Sequence, residues 1–69
     1  MTPEKVEEFR SICAKRGVRK DYLIAKELGM SPETLSRKLN GKLEFTLPEI
    51  KKIRARFSIT EQKAGELFL

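Results

Sequence analysis

Apolar residues along this chain recur at helical spacing. Val6, Phe9, Ile12 and Cys13 fall at i, i+3, i+6 and i+7, one face of a helix. Thr2-Pro3-Glu4 precedes them with an N-cap residue, a proline for the first helical position and an acid for the first turn. Arg16 and Gly17 close the segment. A second helix is predicted to begin near Lys20 or Asp21, with Ile24, Ala25 and Leu28 on one face and Gly29 placed as a left-handed cap. Ser31-Pro32-Glu33-Thr34 repeats the start signal, and Leu35 and Leu39 are the inward residues of a short third helix that stops at Asn40-Gly41. Lys42 to Phe45 reads as a loop. Thr46 and Glu49 form a capping box that opens a fourth helix, with a predicted stripe of Leu47, Ile50, Ile53 and Phe57. Ser58-Ile59 reads as a break, and Thr60 caps a fifth helix with Ala64, Leu67 and Phe68 on one face. No stretch alternates apolar and polar residues over strand length. The expectation is one all-α domain over residues 1–69, a compact five-helix bundle.

The connection between the second and third helices is the most informative segment. Leu28 ends one helix, Gly29-Met30 turns, and Ser31 caps the next. So short a turn forces the two helices to cross steeply. Ala25 is small where they approach, Gly29 takes a positive φ at little cost, and Met30 and Leu35 fill the angle. This is the physical recipe for a helix-turn-helix.

Composition narrows the chemistry. The 69 residues hold 15 Lys plus Arg and 10 Asp plus Glu, a formal charge of +5, with no His, no Trp and one Cys. A chain of this size buries only about 60% of the surface its unfolded form exposes. Without His, acid–base chemistry built on imidazole and the Ser-His-Asp arrangement are excluded. Cys13 alone cannot make an intrachain disulfide or a zinc finger, and a single Cys points to a reducing compartment. Cys13 lies on the apolar face of its helix and reads as a small core hydrophobe. There is no glycine loop that cradles phosphates, so an enzyme is not expected, nor a cofactor or metal. No apolar run approaches the roughly 18–20 residues of a membrane span, and no signal-peptide core is read at the start. The positive surplus is spread along the chain, so charge alone does not name a partner.

Ile24 to Gly41, I-A-K-E-L-G-M-S-P-E-T-L-S-R-K-L-N-G, resembles the helix-turn-helix of the phage repressor and Cro-like (XRE-type) family. Gly41 to Ile50, G-K-L-E-F-T-L-P-E-I, is similar to a subgroup of short phage-encoded regulators, and the likeness extends over roughly residues 5–69. It departs from the family pattern at three places. Asp21 stands where the family usually carries a Gln that meets a phosphate. Lys38 and Leu39 exchange the usual apolar and polar order, so Leu39 is expected in the core and Lys38 outward. Pro32 and Glu33 occupy positions of polar readers.

The resemblance implies a sequence-specific transcription regulator in the cytoplasm of a bacterial or phage-infected cell. It would occupy an operator in double-stranded DNA with the third helix in the major groove. Glu33, Thr34, Ser36 and Arg37 are then the candidates for base contacts, with Arg37 paired to guanine O6 and N7 and Glu33 accepting from cytosine N4. Arg16, Arg19, Lys20, Ser31, Lys38, Asn40 and Lys42 are the candidates for phosphate contacts, which position without reading sequence. Leu67, Phe68 and Leu69 form a candidate dimer patch, for a homodimer on a pseudo-palindromic site with half-sites roughly 34 Å apart. No small-molecule ligand is expected.

Plainer readings stand beside these. Ser31 is first a helix cap, Glu33 equally a first-turn acid, and Arg37 a surface arginine. Lys51, Lys52, Arg54 and Arg56 read as the solvated side of the fourth helix. The same fold also suits a protein-interaction module, an antirepressor or antitoxin-like adaptor. A helical RNA-binding domain ranks below both, because Tyr22 is the only Tyr and the Phe residues sit at core spacing.

Overall fold

Hydroxyl caps start four of the helices. Thr2, Ser31, Thr46 and Thr60 accept the N–H groups of Lys5, Thr34, Glu49 and Lys63 at 3.1–3.3 Å. Each such cap is worth about 1 kcal/mol. In the computed structural model, which describes residues Met1–Leu69, they open α1 (Pro3–Lys15), α3 (Pro32–Leu39), α4 (Leu47–Phe57) and α5 (Glu61–Phe68). The remaining helix, α2 (Asp21–Leu28), has Lys20 at its N-cap and no side-chain cap bond. The expected capping box of Thr46 and Glu49 is present. The molecule is all-helical, with five helices and no strands, and none of them is long and apolar enough to cross a membrane.

The first four helices end in the same way. Gly17, Gly29, Gly41 and Ser58 take φ values of 85°, 70°, 78° and 55°. The next residue then reaches back: the N–H groups of Val18, Met30, Lys42 and Ile59 bond the carbonyls of Cys13, Ala25, Arg37 and Arg54 at 2.9–3.1 Å. This bond folds the residue after the left-handed position back over the last turn. Val18 and Ile59 become core residues in consequence. Neither lies on a helical stripe, and the break expected at Ser58-Ile59 is also where a core residue enters.

The core is centred on Phe9, which meets Phe45, Phe57 and Phe68 edge-on at centroid distances of 6.5, 6.3 and 5.7 Å. Cys13, Ile24, Ala25, Leu35, Ile53 and Leu67 are fully buried around it. α2 packs on α3 and α4, and α5 on α1 and α4. Burial pushes the Cys13 thiol up to about 12, the state of an unreactive core residue.

Two expectations are corrected here. Leu47 does not belong to the buried stripe of α4; it is 70% exposed. At 3.6 residues per turn it points roughly 90° away from the mean direction of Ile50, Ile53 and Phe57. Leu67 is in the core at 1% exposure and is removed from the dimer patch. Phe68 is half-buried against Phe9 and Phe45, which leaves Leu69 as the freely exposed member of that trio.

Candidate nucleic-acid interface

The start of α2 is tied to α1. Arg10 grips Asp21 with two hydrogen bonds, Nε to Oδ1 at 3.1 Å and Nη2 to Oδ2 at 2.8 Å. The hydrogen bond to Asp21 raises the Arg10 guanidinium above its ordinary value. Asp21 sits in the first helical turn, where an acid is favoured, so both its carboxylate oxygens serve the fold.

At the other end of α2, Gly29 donates to Lys26 O at 3.2 Å and Met30 to Ala25 O at 3.0 Å. Ser31 then caps α3 through Thr34 N–H at 3.1 Å, and its own hydroxyl donates to Thr34 Oγ1 at 2.9 Å. Only Gly29, Met30 and Ser31 separate the two helices. Pro32 at the first helical position has no N–H to satisfy. Thr34 is half-buried, its hydroxyl engaged by Ser31.

α3 divides sharply. Leu35, Lys38 and Leu39 are buried, while Glu33, Ser36, Arg37 and Asn40 are exposed at i, i+3, i+4 and i+7. Along the exposed face Arg37 Nη2 donates to Glu33 Oε1 at 2.9 Å, and Asn40 Nδ2 to Ser36 Oγ at 3.4 Å. Four of the base-contact and phosphate-contact candidates are therefore together on one strip of surface.

Lys38 is not among them, and its expected outward course is corrected. Its ammonium donates to Glu44 O at 3.0 Å and Glu49 Oε1 at 2.8 Å, with Phe45 beside it at 5.8 Å. The reason is visible in the spacing: Leu35, Lys38 and Leu39 stand at i, i+3 and i+4, so position 38 belongs to the inward face. Glu49 also accepts the Thr46 N–H at 2.9 Å. Burial pushes the Glu49 carboxyl up, but the Lys38 and Thr46 hydrogen bonds outweigh it and hold it below the usual carboxylate range.

Arg16, Arg19, Lys20 and Lys42 remain as free cations. All four are exposed, and none has a carboxylate partner, whereas Arg10, Arg37, Lys38, Arg56 and Lys63 each do. Lys42 is anchored at the end of α3 by its N–H bond to Arg37 O at 2.9 Å. Arg19 and Lys20 lead into α2. Arg16 faces elsewhere as well: with Lys15 and Lys63 it rims a shallow groove of about 510 Å³ floored by Ile12, Phe57 and Ile59.

No protein-family model matches the chain, and no curated protein or solved structure matches it either. The functional reading rests on these residues and their placement.

Proposed function

We propose that the chain is a sequence-specific regulator of transcription that binds double-stranded DNA, with α2 and α3 acting as a helix-turn-helix and α3 entering the major groove. The observation that carries this reading is the division of α3. One side is buried, and the other offers Glu33, Ser36, Arg37 and Asn40 to solvent as a strip of donors and acceptors. Arg37 reads a guanine, Glu33 and Ser36 the neighbouring bases, and Thr34 has a lesser part because its hydroxyl serves the cap. Arg19, Lys20 and Lys42, with Arg16, Ser31 and Asn40, hold phosphates and set the register. A homodimer on a pseudo-palindromic operator belongs to the same proposal, with Leu69 and the half-buried Phe68 as its contact. Sedimentation as a strict monomer, both free and on DNA, removes that part.

Selection of bound duplexes from a random pool tests the reading. The parent enriches a defined site, and Arg37→Ala binds it more weakly with relaxed preference at one base pair. A parent that enriches no sequence ends the proposal.

The alternative is an adaptor that binds protein. Three exposed leucines favour it: Leu43, Leu47 and Leu69. Absence of salt-dependent DNA binding would select this second reading.

A further inference from the structure

We propose that Lys52 contacts a DNA phosphate, delivered by α4 to the link between α2 and α3. The inference rests on the DNA-binding reading above and adds to it a residue from outside the two helices concerned. Two contacts place Lys52. Arg56 of α4 pairs with Glu27 in the last turn of α2, which lays this ridge of α4 along the end of α2. Lys52 precedes Arg56 by one helical turn and shares its ridge. Its ammonium therefore falls past the end of α2, over Gly29: a Cβ on Gly29 would stand 3.3 Å from Lys52 Nζ. The positive φ of 70° calls for glycine there, and the absent side chain leaves the lysine tip lying close over the backbone.

The ammonium that arrives there is uncommitted. Lys52 is exposed and has no carboxylate or carbonyl partner. Lys26, also exposed and without a carboxylate, stands on α2 one turn before Gly29. Lys52 thus brings an unneutralised ammonium to the link from which α3 departs, and Lys26 adds a second free positive charge on the last turn of α2. The other cations of α4 go elsewhere. Lys51 and Arg54 line a groove with Leu47, Ile50 and residues of α5, and Arg56 is paired with Glu27. Spacing alone pairs Lys52 with Arg56 and Lys51 with Arg54; the position of α2 shows which pair faces the link.

A cation at the carboxyl end of a helix also steadies that end. That role alters stability and leaves the salt dependence of DNA binding untouched, so the two can be told apart. The experiment measures binding of the chain to a mixed-sequence duplex over a range of salt, with urea unfolding alongside. Lys52→Gln is expected to flatten the slope of log K against log salt by about 0.9 and to weaken binding evenly across sequences. Lys52→Arg restores the slope, and Lys51→Gln keeps the parent's. A parental slope in Lys52→Gln, or an equal loss in Lys51→Gln, overturns the inference while the DNA reading stands. A parent with no salt-dependent binding overturns both.

Discussion

Arg37 and Lys38 are neighbours on one helix, carry the same charge, and each ends on a glutamate. Arg37 meets Glu33 at 2.9 Å and Lys38 meets Glu49 at 2.8 Å. The distances are alike and the settings are not. The first pair has side chains 58% and 77% exposed, the second 8% and 25%. In solvent, an i, i+4 pair contributes about 0.3–0.5 kcal/mol, so Arg37 can exchange its carboxylate for a ligand at small cost. Inside, the loss of one partner strands the other with its charge. The length of an ion pair says little about its work; burial decides whether it holds a helix in place or stays open to a partner. On α3 this separates, one residue apart, the side that is fixed from the side that can bind.

The largest expected effect is on the buried side. Lys38→Met keeps the apolar stem and removes the ammonium from Glu49 and from Glu44 O. Breaking a buried pair costs about 3–5 kcal/mol; Glu49 keeps some access to water, which lowers the expectation to about 2–3 kcal/mol. For a domain of this size that is a fall in Tm of roughly 10–20 °C. Arg37→Ala is expected to unfold within about 0.5 kcal/mol of the parent. Urea or thermal unfolding of the two variants side by side checks this, and equal midpoints would break the comparison.

The next effect is on the exposed side. On its selected operator, Arg37→Ala is expected to lose about 1–3 kcal/mol of binding, with discrimination relaxed at one base pair. A titration of operator and single-base variants measures it. Undiminished affinity would leave Arg37 an ordinary surface arginine.

How far these two sides could be read in advance depends on what kind of signal marks each residue. Start signals such as Ser31-Pro32 and Thr46 with Glu49 are local, and the structure has helices at both. So is the left-handed stop at Gly29. Leu35 and Leu39 follow from period alone. Lys38 carries two opposed signals: its exchange with Leu39 relative to the family pattern points outward, and its spacing beside Leu35 and Leu39 points inward, where the structure has it. Asp21 and Arg10 are far apart in the sequence, and nothing local announces their pairing. Ile59 and Val18 are core because of a chain reversal, which periodicity does not see. Lys52 is the extreme case: its neighbour Gly29 is brought to it only by the packing of α4 on α2.

Acid sharpens the comparison through the buried partner. The Glu49 carboxyl is held below its usual range in the folded chain. The stability it contributes is therefore complete above the unfolded carboxyl's value, about 4.3, and declines as the pH falls through the lower, folded value. The urea midpoint of the parent should drop more steeply on acidification than that of Glu49→Gln, which keeps an oxygen for the Thr46 cap but has no proton to gain. Parallel declines would mean that the buried pair does not couple folding to pH.

The smallest effect tests the exposed pair itself. A double-mutant cycle with Glu33→Gln and Arg37→Gln should return a coupling of about 0.3–0.5 kcal/mol in low salt, fading toward zero at high salt as screening shortens its reach. This small number bears directly on the proposed function. Base reading requires Arg37 to leave Glu33, and the cost of leaving is subtracted from every contact it then makes. At a few tenths of a kcal/mol the exchange is nearly free, and it releases Glu33 as well as Arg37 for the bases proposed for them. A coupling above about 1 kcal/mol that survives salt would describe a different residue, one committed to the helix. The exposed side of α3 would then be as fixed as the buried one, and the contrast between Arg37 and Lys38 would collapse.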